Sequence, residues 1–214
     1  GLGYALGHSG AEADGVIELL YGGLSFDLLG LMPAEKCPMP DIAHRYGFTA
    51  PLANRGLEAI TLVAGEHLRG AENLLPVVRG MTAIAAKLTA LSGALAVAWH
   101  PARSLIAAEP FVRSITSWLD GGAFPALGLT ALIRDVDSGL RSEGLAFFTG
   151  QELRIEPIHG ESAAGAAKIA LRLIHMLVGS EAVTKPYEFT GPAGENLRAE
   201  PSGNGKYIRI YSKA

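Results

Sequence analysis

The sequence has a single cysteine and few charged residues, and both shortages limit what the chain can be. Cys37 is the one cysteine among 214 residues, so neither an internal disulfide nor a thiolate metal cluster can form. Charged residues make up 18% of the chain, below the quarter or so that is typical of soluble domains. Hydrophobic residues reach 49%, a balance that predicts a large core or a partner surface buried in a complex.

Basic residues are too few for a protein that binds nucleic acid. The chain carries 18 basic against 21 acidic residues, a net charge of -3, and no basic run, so we expect no nucleic-acid partner. We also expect no membrane partner, because the most apolar stretch, 81–99, contains Lys87 and is interrupted at Gly93. A lone cysteine and the absence of a recognisable secretory signal predict a cytoplasmic protein.

No short motif for catalysis or metal binding is complete in this sequence. The stretch around Ser9 lacks the second glycine of a nucleophile elbow, and too few residues precede it to form the required strand. Asp135 opens a stretch that resembles a calcium loop, but Leu140 and Ala146 stand where that loop needs glycine and glutamate. The six histidines show no metal-ligand spacing. We therefore predict no metal and no cofactor.

A helix over 76–91 is the clearest element that the sequence predicts. Pro76 suits its first turn and Gly93 suits the left-handed position after its last. Its apolar residues recur at helical spacing: Val77, Met81, Ile84, Leu88 and Leu91. The unbroken apolar run 94–99 predicts a strand buried on both faces, and 57–64 predicts a strand before the helix. Together they predict one βαβ unit.

The remaining pattern predicts an α+β protein. Further helices are expected at 110–121 and 161–178, and a loop at 41–55. Further strands are expected at 16–21, 24–32, 127–136, 144–149, 152–156, 187–190 and 206–211, the last two joined by a Gly/Pro-rich loop. We predict a flexible segment 1–14, then a single α+β domain over 15–214. Its mixed β-sheet would carry helices mainly on one face.

His100 is the most interesting polar residue, because it follows the predicted strand 94–99. Open α/β sheets bind ligands at the carboxyl ends of their strands. His100 could act there as a general base, assisted by Glu109 or His44. The alternative interpretation is a histidine at a strand end whose hydrogen bonds go to backbone groups. These three residues are the candidate catalytic residues.

Three stretches of the chain resemble one known family. They are Leu31-Met32-Pro33-Ala34, Ala98-Trp99-His100, and the run from Phe148 to Ile155. Together they are similar to an uncharacterised bacterial family, domain of unknown function 4261. The resemblance implies a bacterial protein domain. It brings no activity, cofactor, partner or site residue with it.

We therefore expect a non-catalytic binding or protein-interaction module. Its partner would be an unknown protein or a second copy of the chain, since the charge-poor helix 76–91 is either central in the fold or a face for self-association. The alternative is a small-molecule enzyme, hydrolase-like, with its site near His100. A regulatory or toxin-neutralising protein is a third possibility that the sequence leaves open.

Overall fold

A computed structural model gives the structure of residues 15–31, 35–50, 52, 56–90, 93–157 and 162–212. The predicted flexible segment 1–14, with its Ser9 motif, lies outside these described residues. Helices make up 30% and strands 31% of the chain, so the predicted α+β class is confirmed.

Helices and strands follow one another in mixed order. The strands are β1 (Ile17–Tyr21), β2 (Leu24–Leu29), β3 (His44–Tyr46), β4 (Thr61–Ala64), β5 (Ala96–Trp99), β6 (Ser104–Ala107), β7 (Ala131–Arg134), β8 (Leu140–Glu143), β9 (Glu152–Ile155), β10 (Tyr187–Thr190), β11 (Asn196–Pro201) and β12 (Tyr207–Ser212). The helices are α1 (Leu75–Leu88), α2 (Ala108–Leu119), α3 (Ala126–Leu129), α4 (Ala146–Thr149) and α5 (Ala163–Leu177). Short 3-10 turns lie at Glu66–Leu68 and His100–Ala102.

The strands form three sheets, of orders β1-β2-β4, β3-β6-β5 and β10-β11-β12-β9-β8-β7. The six-stranded sheet is mixed, as predicted: β9 and β12 are parallel, and the other pairs are antiparallel. The connection from β9 to its parallel neighbour runs through α5, β10 and β11.

The predicted βαβ unit is wrong. The two strands that flank α1 belong to different sheets, since β4 pairs with β2 and β5 pairs with β6. A short 3-10 turn joins β5 to β6, and strands linked so closely usually become neighbours. Residues 96–98 are only half-buried, so this strand is not buried on both faces as predicted.

Several predicted boundaries are also corrected. The stretch 144–149 is a turn and the helix α4, and the strand lies before it, at β8. In β8 the buried residues Leu140 and Ser142 alternate with charged residues over only four positions, a pattern too short to predict a strand. The predicted loops 41–55 and 191–205 contain β3 and β11. Helix α1 ends at Leu88 and not beside Gly93.

Two compact units are formed by the described residues. The first draws on the described residues within 15–41, 47–98 and 106–121, and the second on those within 42–46, 99–105 and 122–212. The single domain over 15–214 stays a prediction.

Helix α1 is the centre of the first unit. Val77 and Ile84 pack with Phe26 of β2, and Val78 on another side of the helix is fully buried. Both charged residues of α1 have local partners. The Arg79 guanidinium lies 4.9 Å from the centre of the Trp118 ring and donates to the carbonyls of Trp118 and Leu119 at the end of α2. Lys87 lies 5.6 Å from the Tyr21 ring centre. Packing therefore accounts for the low charge of this helix, and self-association stays a prediction.

The six-stranded sheet of the second unit buries one face. Directly paired residues lie on the same side of a sheet, so Leu153, Ile155, Ile208 and Ile210 share this face. All four are about 1% exposed or less. They face an α5 stripe formed by Ile169, Ala170, Leu173, Ile174 and Leu177. Ser162 begins this helix by accepting a hydrogen bond from the Gly165 N–H.

Gln151 joins two loops of the second unit. Its side chain is almost completely buried, at 4% exposure. The amide nitrogen donates to the carbonyls of Val183 and Gly205 at 3.1 and 3.0 Å, and the amide oxygen accepts from the Val183 N–H at 2.8 Å. One side chain thus satisfies three backbone groups that belong to segments far apart in sequence.

Gln151→Ala should lower the free energy of unfolding by about 2–4 kcal/mol, because it removes a buried side chain and the three hydrogen bonds by which it joins the two loops. Denaturant unfolding measures this change. Lys206→Ala, at an exposed position beside Gly205, is the control and should change stability by less than about 0.5 kcal/mol. Equal stability of the two variants would mean that other contacts hold the loops.

Candidate functional site

A groove of about 290 Å³ lies between α5 and β10 in the second unit. Four α5 residues line one wall: Ile169, Arg172, Leu173 and Met176. Phe189, Thr190 and Pro192 line the other. Met176 is 44% exposed, which is unusual for a large apolar side chain on a packed helix. The groove is therefore an apolar channel that solvent reaches.

Arg172 is the only charged residue that lines this groove. Its side chain is exposed. Among the residues that the structure describes, none forms an ion pair or a hydrogen bond with it. By contrast, Arg113 on α2 is paired with Glu109, and Arg209 on the six-stranded sheet is paired with Glu156. Arg172 thus places a positive charge among the apolar α5 residues that line the groove.

Strand β10 is an edge of the six-stranded sheet. The Gly191 N–H donates to the Glu195 carbonyl at 2.8 Å, just beyond the end of the β10–β11 ladder. Hydrogen-bonded and non-hydrogen-bonded pairs alternate in an antiparallel ladder. The pair of Thr190 with Asn196 is therefore non-hydrogen-bonded, and the N–H and C=O of Thr190 turn away from β11. In the part of the chain that the structure describes, no strand pairs with β10 on that side, so these groups point outward from the edge of the sheet, beside the groove.

Tyr187 and Phe189 of β10 lie on the α5 side of the sheet, with ring centres 5.8 Å apart. They pair with Ala199 and Leu197, which are buried on that side. Burial raises the pKa of the Tyr187 hydroxyl above its usual value of 10.0. The edge strand is therefore fixed by partly buried aromatic rings.

His44, one of the predicted catalytic residues, lies beside Glu143 at the end of β8. Its Nε2 is 2.8 Å from a carboxylate oxygen of Glu143, and both side chains are about a quarter exposed or less. Arg103 approaches the other carboxylate oxygen at 3.7 Å. Arg103 has a left-handed backbone, φ 46°, and its carbonyl accepts from the N–H groups of Ala43 and His44. This geometry orients the imidazole.

The other two predicted residues have separate surroundings. His100 is exposed in the 3-10 turn after β5, and its side chain has no hydrogen-bond partner among the described residues. Glu109 is 84% exposed in the first turn of α2 and pairs with Arg113 at 2.8 Å. The predicted assistance of His100 by His44 or Glu109 stays a prediction, since the contacts of those two residues go to Glu143 and Arg113.

Glu152 is a structurally important residue that the sequence analysis missed. Its carboxylate accepts hydrogen bonds from the N–H groups of Gly144, Leu145 and Ala146, at 2.9 to 3.3 Å, and from the hydroxyl of Ser142. It fixes the turn that leads into α4, where Phe147 and Phe148 pack on Trp99. No spacing in the sequence indicates this role, because the contacts are made by backbone groups.

The open face of the six-stranded sheet carries a row of three arginines. Arg141, Arg154 and Arg209 lie directly opposite one another on β8, β9 and β12. Acidic side chains surround the row: Asp135 contacts Arg141 and Arg154, Asp137 contacts Arg154, and Glu156 contacts Arg154 and Arg209. Burial opposes the charge of Arg154, but these carboxylates outweigh it and raise the pKa of the guanidinium. The row is therefore internally neutralised.

A serine and a histidine also meet in the first unit. The Ser25 hydroxyl lies 3.0 Å from Nδ1 of His67, and the Ser25 N–H points to Nε2 at 3.5 Å. If Nε2 accepts that N–H, the neutral ring donates from Nδ1 to the hydroxyl. The imidazole is then not placed to remove the serine proton. Ser25 is 5% exposed, so this pair stabilises β2 and is not a nucleophile.

Within the described part of the chain, no three metal-ligating side chains lie together and no helix is long and apolar enough to cross a bilayer. No family model, curated protein or solved structure matches the chain. The resemblance to domain of unknown function 4261 and the cytoplasmic location stay predictions.

The pKa of Tyr187 can be tested by its effect on stability. Below pH 10 the tyrosine is protonated in both the folded and unfolded chain. Above that pH the unfolded tyrosine ionises first, because burial raises the folded pKa. The free energy of unfolding should therefore fall as the pH rises beyond 10. Tyr187→Phe should remove part of this fall. An identical pH profile in the variant would contradict the burial of this hydroxyl.

Proposed function

We propose that this protein is a non-catalytic binding module that receives an extended segment of a partner protein in the groove between α5 and β10. The observation that carries the proposal is the outward N–H and C=O of Thr190 beside an apolar channel. An extended peptide can add a strand at such an edge, with main-chain hydrogen bonds supplying affinity and side-chain pockets supplying specificity.

The composition of the groove supports binding over catalysis. Its lining residues are apolar except for Arg172 and Thr190. A general acid–base site needs a histidine, carboxylate, lysine or similar group within reach of the substrate. The groove contains none of these, and arginine stays protonated at any pH that an enzyme uses. Its chemistry is that of recognition.

Thr190→Pro tests strand addition directly. Proline removes the N–H that faces the open edge and keeps the β10–β11 hydrogen bonds, as edge strands tolerate. The probe is a pool of capped synthetic peptides of about eight residues with apolar side chains at alternate positions. Binding measured by fluorescence anisotropy should weaken by about tenfold, because the variant loses roughly one main-chain hydrogen bond to the peptide.

Thr190→Val is the matched control, because it keeps the N–H and the β-branched shape, and it should bind like the parent chain. Thermal unfolding must show that both variants fold. Met176→Glu should also abolish binding by placing a charge in the apolar channel, while Val136→Glu, on an exposed turn outside the groove, should not. Full binding by Thr190→Pro would refute strand addition, and no binding by the parent chain would refute the function.

The hydrogen bond between His44 and Glu143 favours a second candidate function, hydrolysis of a small ester or amide. Glu143 would orient the imidazole of His44, and His100 would lie in the same unit as a further base. Turnover of a panel of aryl esters and amides tests it. If the binding proposal is correct, no turnover sensitive to His44→Ala or His100→Ala should be found. A decrease in turnover of about a hundredfold in both variants would favour the hydrolase over the binding module.

A further inference from the structure

The groove contains a cation that has no partner among the described residues of the chain. Arg172 lies between Ile169 and Met176 on the groove-facing side of α5. Three other arginines of the same unit, Arg141, Arg154 and Arg209, are paired with carboxylates. A guanidinium can hold both oxygens of a carboxylate in a charge-assisted pair, so this cation gives the groove a preference for an acidic side chain.

On the basis of the proposed function, we infer that the segment bound in the groove is acidic and that Arg172 selects it by pairing with an internal Asp or Glu side chain. We infer an internal carboxylate, and not one at the end of the peptide, from the position of Arg172 within the groove. Lining residues continue one helical turn before and after it, at Ile169 and Met176. A carboxylate opposite Arg172 therefore lies midway along the bound segment. A carboxylate at the end of a peptide would leave half of the groove empty.

The inferred ligand is thus an extended segment with apolar side chains at alternate positions and one acidic side chain near its middle. The apolar side chains contact Met176 and Phe189, and the main chain pairs with Thr190. Arg172 adds specificity and a salt-dependent part of the affinity. Arginine suits this role because its planar group can hold both oxygens of one carboxylate.

Three peptide pools of about eight residues, all with alternating apolar positions, test the inference. The first pool has capped ends and one central Asp or Glu, the second has capped ends and no charge, and the third is uncharged except for a free carboxyl terminus. The first pool should bind about fivefold to tenfold more tightly than the second at low salt, and this advantage should shrink as salt is added. The third should bind like the second.

Substitutions of Arg172 locate the effect. Arg172→Gln should remove the advantage of the acidic pool, so that the acidic and neutral pools bind this variant equally well. Arg172→Glu should disfavour the acidic pool and favour a pool with a central Lys. Lys168→Gln is the matched control: it removes one positive charge from an exposed position one turn away that does not line the groove. It should keep most of the acidic preference.

The outcomes separate this inference from the function on which it rests. Equal binding of the acidic and neutral pools would overturn the role of Arg172 and leave the peptide-binding module intact. Preference for the third pool would overturn the internal carboxylate in favour of a chain terminus. An acidic preference lost equally in Lys168→Gln would show only general attraction to a basic helix, and would also overturn the inference. Failure of every pool to bind would overturn the function itself.

Discussion

The burial of alternating residues of β9 and β12 under α5 is the interaction on which the second unit depends. Because side chains on a strand alternate between two faces, the register that buries Leu153 and Ile155 also fixes which side of every neighbouring strand faces the helix. α5 has its main sheet contacts with β8 and β9. The edge strand β10 therefore presents Phe189 on the helix side with part of its surface uncovered, and the groove is a consequence of where the helix lies.

The same alternation places Arg141, Arg154 and Arg209 on the opposite face of the sheet. These arginines are paired with carboxylates, whereas Arg172 in the groove has no partner among the described residues. Like charges that lie directly opposite on neighbouring strands repel each other. The chain offsets this repulsion locally, with Asp135 and Asp137 in the turn after β7 and Glu156 after β9. The Gly139 N–H and then Arg154 also hold the pKa of Asp137 below its usual value, so its charge persists at mildly acidic pH. An arginine whose charge is already balanced has little left for a ligand.

The sequence predicted those elements whose periodicity is strong. Pro76 and the apolar spacing of α1, the Gly22-Gly23 turn between β1 and β2, and the stripe of α5 all indicated the observed structure. The sequence-based predictions were wrong where tertiary contacts determine the secondary structure and the strand pairing. β8 alternates Leu140 and Ser142 inward with charged residues outward, a pattern too short to distinguish from a hairpin tip. β4 and β5 flank a helix as in a βαβ unit, yet β4 pairs antiparallel with β2, and β5 pairs with β6, which follows it after one short turn.

The site was less predictable than the fold, because it is made of backbone groups and of an absence of neutralising charge. A histidine that follows a predicted strand attracts attention in a sequence, and His100 is the leading catalytic candidate for that reason. Two features distinguish the groove. The N–H of Thr190 points outward because of the way hydrogen-bonded and non-hydrogen-bonded pairs alternate between β10 and β11. The charge of Arg172 is available to a ligand because no carboxylate among the described residues pairs with it. Neither property belongs to a single residue. Catalysis would require reactive groups to converge on a cavity, whereas the groove offers an edge, an apolar wall and one fixed charge; under the proposed function, this combination would recognise a polypeptide by its main chain, by the period of its apolar side chains and by the sign of its charge.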